Sequence, residues 1–293
     1  MTAARDDVSA HYSRGDLLAR LDAALKADGV DPERPTIETL APYDQFHGRG
    51  IEATEEVAGL VDIRATDHVL DIGSGIGGPA RYIAHRFGCR VSGIDLTPEF
   101  CEVARHLTRR LGLEGRVDFR VGDAVAMPFA DAQFDGAYSM NVSMNIDDKR
   151  AFYREIHRVL KPGAWLVLSE AARGQGPEPE YPTPWARSAR TSFLATAEAT
   201  RQGLLDAGFD VVRLESTLEA ARAYGARARE MVARGEKPPH RAVMLIHGDI
   251  AQAAMTNSAR ALADGRVVPI EILATRRPSA ADPAGRAGRR PAC

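Results

Sequence analysis

The sequence predicts an α/β protein, a mostly parallel sheet with helices on both faces. From His68 onward, short apolar and β-branched runs alternate with segments of helical length and spacing. Strands separated by helices need crossover connections, and crossovers lay successive strands parallel. Turn and cap residues stand at the junctions, so the prediction depends on no motif.

The elements follow in order. Ahead of the core, "RGDLLARLDAALKADGV" places Leu17, Leu18, Leu21, Ala24 and Leu25 on one helical stripe, and "IEATEEVAGLVDI" reads as a second helix. The alternation then runs through "HVLDIG", "GPARYIAHRF", "RVSGIDL", "PEFCEVARHLTRRLGL", "VDFRVGDA", "FDGAYSMNV", "DDKRAFYREIHRVL" and "AWLVLSEA". Gly88 suits a helix C-cap, Pro98 a first helical turn, and "KPGA" at 161–164 stops a helix before the next strand. A Pro and Gly linker, "GQGPEPEYPTPW", leads to a helix around "FLATAEATRQGLLDAGF" and a strand "DVVRLES". A helical insert is expected over about 218–263, then a last strand, "RVVPIEILATR". These readings divide the chain into an N-terminal helical cap (1–64), a core (65–277) holding the insert, and a tail (278–293) without apolar periodicity, expected to be disordered.

Composition narrows the function classes. A chain of 293 residues, 44% hydrophobic and 27% charged, buries a full core. A net charge of -2 gathers no polyanion, so nucleic acid is not an expected partner. The odd three cysteines, Cys89, Cys101 and Cys293, without CxxC spacing, imply neither a disulfide framework nor a metal site. The absence of a leader-like segment or a spanning apolar run points to the cytoplasm.

The chemistry concentrates in "LDIGSGIGGPARY" at 70–82. Glycines between a strand and a helix let a ligand approach backbone N–H groups closely. Gly73, Gly75 and Gly78 also satisfy G-x-G-x-x-G, so the loop alone equally suits a dinucleotide and a nicotinamide-dependent oxidoreductase. Asp71, just before the glycines, repels a diphosphate and welcomes an ammonium. Asp95 ends the second strand where it can accept from ribose hydroxyls, and Asp123 ends the third where it can accept from an adenine amino group beside Ala124 and Met127. An adenosine bearing an amino acid satisfies all three acids.

With "VLDIGSGIGG", "GIDLTPEF", "GDAVAMPFADAQFDGAYSMNV", "EIHRVLKPGAWLVLSE" and the closing strand in this order, the chain resembles the class I S-adenosylmethionine-dependent methyltransferases over roughly residues 68–275. The resemblance implies a Rossmann-like, seven-stranded sheet with an antiparallel last strand, and S-adenosylmethionine as cofactor. It also implies that Asp71 and Gly73 lie by the methionyl portion, Asp95 by the ribose, Asp123 and Ala124 by the adenine, and the Asn141 backbone by the methionyl amino group, with Ser74, Gly75 and Leu96 also among the cofactor-binding residues. Relatives often carry His near position 141; Asn here removes one candidate base. The N-terminal part with "DQFHGRG" looks like bacterial small-molecule enzymes of the sarcosine and dimethylglycine type, which favours an amine acceptor over oxygen or ring carbon.

"YDQFHGRG" at 43–50 crowds hydrogen-bonding groups ahead of the core, where the chain has few places to go except over the strand ends. Tyr43, Asp44, Gln45, Phe46 and His47 are therefore expected to close the pocket, with His47 as the candidate base. A structural role for Phe46 and His47, with Arg49 in water, is the competing reading. Asn145 or Asn141 is expected either at the acceptor or, for Asn145, in a turn, with Asp147 capping the next helix. Glu170, Arg173, Tyr181 and Trp185 suit either an acceptor wall or, for the linker aromatics, contact between two copies in a homodimer. A protein that binds the cofactor without turning over is a third functional class.

Overall fold

The computed structural model describes residues 3–13 and 15–278. Four helices come first: α1 (Ala3–Tyr12), α2 (Leu17–Ala27), α3 (Ile37–Asp44) and α4 (Ile51–Gly59). The alternating core follows as β1 (His68–Ile72), α5 (Gly78–Phe87), β2 (Arg90–Asp95), α6 (Pro98–Arg110), β3 (Val117–Val121), β4 (Phe134–Met140), α7 (Lys149–Val159) and β5 (Leu160–Arg173). Then come α8 (Ala197–Asp206), β6 (Phe209–Ser216), α9 (Leu218–Ala233), α10 (Ala242–His247), α11 (Ala251–Ala263) and β7 (Val267–Arg276).

The seven strands form one sheet in the order β3-β2-β1-β4-β5-β7-β6. β1 to β5 pair parallel, and β7 runs antiparallel to both β5 and β6. Alternation along each strand divides the core. Leu70, Ile72, Leu166 and Leu168 face Phe152, Ile156 and Leu204 of α7 and α8, whereas Val69, Val91 and Val167 face Val57, Ile83 and Ala104 of α4, α5 and α6. Strands are added to one side of β1 as far as β3 and then, from β4, to its other side, so the carboxyl ends of β1, β2 and β4 open a crevice at the switch point.

The local devices differ in places from expectation. Gly88 caps α5 at φ 72°, with its N–H on Ala84 O, and Pro98 opens α6. Asp148, not Asp147, caps α7 and accepts from Ala151 N, because the helix starts one residue later. β5 begins at Leu160, so "KPGA" lies within the strand; Leu160 pairs with Phe134 before the register shifts and Trp165 pairs with Gly136. α1 and α3 were not read from the sequence.

Helices α2, α3, α6 and α10 share a small core of Leu17, Leu21, Leu25, Leu40, Phe100, Leu107 and Ile246. Chain from the predicted insert region thus packs on the preceding helices. Arg241 N donates to Pro42 O at 2.6 Å, and the Arg241 guanidinium reaches Asp28 at 2.6 Å. Among the described residues no helix is long and apolar enough to cross a membrane. The expected tail, beyond Pro278, lies outside the described residues.

Candidate functional site

The crevice is a cavity that gathers most of the expected residues. Asp71, Gly73, Ser74, Gly75, Asp95, Leu96, Asp123, Ala124 and Asn141 line one side, and Asp44, Phe46, His47 and Asn145 lie across from them. α1, unread in the sequence, closes the top with Val8 and Tyr12. The signal for it was present: Val8, His11 and Tyr12 recur at helical spacing.

The glycine loop holds itself open with backbone bonds. Gly73 N and Ser74 N both donate to Ile94 O, at 2.8 and 3.0 Å. A side chain at Gly73 is excluded, since its Cβ would come within 2.3 Å of Val142 Cγ2 and its φ is 72°. Asp95 receives Gly75 N and Thr97 N, each at 2.8 Å, one on each carboxylate oxygen. These bonds orient both oxygens and leave each a lone pair for a hydroxyl. Asp123 folds the loop after β3, accepting Val125 N at 3.0 Å.

Asp71 is 2% exposed, and its Oδ2 has no hydrogen-bond partner. Burial, reinforced by the nearby Asp95 charge, raises this carboxyl to about 7. Asn141 holds φ 58° and donates its N–H to Ser169 O at 2.7 Å. This arrangement suits S-adenosylmethionine: the buried acceptor at Asp71 lacks the donor that an ammonium would supply, and the acids at Asp71 and Asp95 oppose a diphosphate.

The acceptor-side residues divide. Tyr12 OH donates to Asn145 Oδ1 at 3.0 Å, and its ring packs with Phe46 and Phe100 at 5.8 and 5.7 Å. Burial and the Asp95 charge push its phenol well above the ordinary range. Asn145 spends its amide N–H groups on Trp185 O and Thr191 O, at 2.8 and 2.9 Å, so it ties three segments together at the cavity wall.

Three expected residues stand elsewhere. Tyr43 turns away from the cavity: its hydroxyl donates to Asp28 at 2.7 Å and its ring lies 4.5 Å under the Arg241 guanidinium. Gln45 is 1% exposed and sits behind the wall, accepting Thr54 Oγ1 at 2.6 Å. Trp185 is buried with Met144, Ala171 and Val267, its indole N–H on Ser192 Oγ at 3.0 Å, because the linker folds over the end of β5 and the start of β7.

His47 reaches the cavity, but its nitrogens are engaged within the protein. Nε2 lies 3.1 Å from Thr54 Oγ1 and 3.3 Å from Gln45 Oε1, and Nδ1 lies 3.3 Å from Gly48 O. Burial drives its pKa down to about 3, so the ring is neutral. Arg49, placed in water by the competing structural reading, is buried and pairs with Glu56 at 2.6 Å. Sequence reasoning also missed Arg81: fully buried, it donates to Asp44 Oδ2 at 2.9 Å and to Ala104 O at 3.2 Å, fixing Asp44 in the wall.

Residues 70–168 match the family model described as a methyltransferase domain. Among proteins of known annotation, the chain is 31% identical over 210 residues to an O-methyltransferase of Pyrenophora dematioidea, covering 70% of this chain and 76% of that one. It is 34% identical over 167 residues to phosphoethanolamine N-methyltransferase 3 of Arabidopsis thaliana, covering 57% of this chain and 33% of that protein. Among solved structures, the [4+2]-cyclase SpnF aligns with a TM-score of 0.68 at 23% identity, over 94% of this chain and 97% of that one, a likeness of fold.

Proposed function

Because this chain belongs to the class I S-adenosylmethionine-dependent methyltransferases, we propose that it methylates a small-molecule acceptor, with an amine nitrogen as the favoured attacking atom. The observation that carries the reading is one cavity that joins Asp71, whose buried Oδ2 makes no close hydrogen bond, to a ceiling of Tyr12, Phe46 and Phe100 beside Asp44. Aromatic faces and carboxylates attract a cation or an amine. An oxygen or ring-carbon acceptor is the second reading, favoured by the Pyrenophora relative.

The cofactor supplies a methyl group on an electrophilic sulfonium. We assign Asp71, Gly73, Ser74, Gly75 and Asn141 to its methionyl half, Asp95 and Leu96 to its ribose, and Asp123 and Ala124 to its adenine. The chain's own work is alignment and exclusion of water, with Val8 and Tyr12 covering the cavity. The contacts of both His47 nitrogens with Gly48 O, Gln45 Oε1 and Thr54 Oγ1, and its lowered pKa, weigh against the role of base expected for it. An amine that has already lost its proton in water needs no base.

The free, buried thiols of Cys89 and Cys101 support a reducing, cytoplasmic setting. Of the two linker aromatics, Trp185 is buried and offers no face to a second copy, whereas Tyr181 is part-exposed. Acidic cavity walls favour a small molecule over nucleic acid.

The test is calorimetric titration with S-adenosylmethionine, S-adenosylhomocysteine and NAD, followed by mass-spectrometric screening of amines against phenols. Binding of the sulfur cofactors and methylation of amines support the reading. NAD binding alone overturns it; cofactor binding with turnover of phenols only moves the acceptor to oxygen, and binding with no turnover removes the catalytic claim.

A further inference from the structure

The cavity wall between Asn141 and Ile146 follows neither helix nor strand geometry except for a single 3₁₀ turn, Ser143–Asn145, so its backbone groups need partners from elsewhere. Two charged side chains that do not themselves line the cavity supply them. Glu170, at the end of β5 and 3% exposed, accepts Ser139 Oγ at 3.3 Å, Val142 N at 3.2 Å and Ser143 N at 3.1 Å. Lys149, at the start of α7, donates from Nζ to the carbonyls of Ser143, Ile146 and Phe193, at 2.5, 2.5 and 2.6 Å.

Both groups are held against their preference for water. Burial raises the Glu170 carboxyl to about 7 and lowers the Lys149 ammonium to about 8. Charged groups so placed cost stability unless their bonds are well made, and packing alone calls for apolar side chains. Their bonds all go to the wall, β4 and the neighbouring linker. The wall in turn presses on the glycine loop: Val142 fills the space where Gly73, two residues after Asp71, would carry a side chain.

We propose that Glu170 and Lys149 are positioning residues that set the methionyl end of the cofactor cradle by clamping the 141–146 backbone from behind. The inference rests on the assignment above of Asp71, Gly73 and Asn141 to the methionyl half. The ribose and adenine ends are assigned to Asp95, Leu96, Asp123 and Ala124, at the ends of β2 and β3, and none of these receives a bond from Glu170 or Lys149. Loosening the clamp therefore weakens ligands that carry an amino-acid portion and spares those that do not.

The experiment titrates wild type, Glu170→Gln and Lys149→Met with S-adenosylhomocysteine and with 5′-methylthioadenosine, which keeps the adenosine and sulfur but lacks the amino acid. The expected result is a loss of about tenfold in S-adenosylhomocysteine affinity in each variant, the scale of one charge-assisted hydrogen bond, with methylthioadenosine affinity unchanged. Equal losses for both ligands, the mark of a merely structural role, overturn the proposal, as does an unchanged S-adenosylhomocysteine affinity. Should Glu170→Gln fail to fold, Ser139→Ala removes one donor to the carboxylate and gives a smaller loss confined to the same ligand. Asp71→Asn separates the two layers. If it leaves S-adenosylhomocysteine binding intact, the methionyl assignment fails; if it weakens binding and neither clamp variant does, the clamp alone fails.

Discussion

At Asp71 the fold buries a carboxylate with the Tyr138 hydroxyl as its nearby donor, and burial outweighs that donor to raise the group from 3.8 to about 7. An ammonium partner requires the ionised form, so S-adenosylhomocysteine affinity falls as the pH drops below 7, approaching about tenfold per pH unit. Calorimetry from pH 6 to 8 checks this, and the slope is absent in Asp71→Asn. The free protein has the opposite preference. A pKa raised on folding gives a contribution to stability that is fully present below the unfolded value of 3.8 and is lost as pH rises through about 7. Asp71→Asn is therefore expected to stabilise the unliganded protein at pH 8, by on the order of 1 kcal/mol or more, while it weakens cofactor binding. Urea unfolding at pH 8 that finds the two proteins equally stable would falsify this account of the residue.

Among the elements, α3 and α5 are joined where Arg81 crosses to Asp44. Burial raises the Asp44 carboxyl and lowers the Arg81 guanidinium, each opposed by the charge of the other. Arg81→Met leaves Asp44 buried without its cation, an expected loss of about 3–5 kcal/mol in urea unfolding. Adding Asp44→Asn recovers part of it; full additivity of the two changes would show that the residues do not act as a pair. The sequence could not disclose this contact, because Arg81 sits in an ordinary amphipathic pattern and its partner lies 37 residues earlier. What it did disclose was local. Period, cap and turn chemistry located β1 to α7, and strand-end acids with the glycine loop located the wall of the cavity formed by Asp71, Gly73, Asp95 and Asp123. The acceptor side depends on tertiary contacts: Tyr43 and Trp185 have the right chemistry, but Asp28 and Ser192 hold their polar atoms elsewhere.

Across the whole molecule, charge is arranged so that the cavity is acidic although the net charge is only -2. Asp44, Asp71, Asp95 and Asp123 line it, and among the described residues no lysine or arginine does. The neighbouring cations are committed to the fold: Arg81 to Asp44, Arg49 to Glu56, and Lys149 to backbone carbonyls. A phosphorylated acceptor would bring its anion into this field. At about 8 Å and an effective dielectric near 20, each like charge it meets costs about 2 kcal/mol, roughly 30-fold in affinity. The prediction separates this chain from its phosphoethanolamine-named relative. For matched pairs such as ethanolamine and phosphoethanolamine, offered at equal concentration with saturating cofactor, the unphosphorylated member is expected to be methylated at least tenfold faster, with the gap narrowing as salt screens the field. Faster turnover of the phosphorylated member would mean that a cation from outside the described residues reaches the acceptor, and the acidic walls would then serve the cofactor alone.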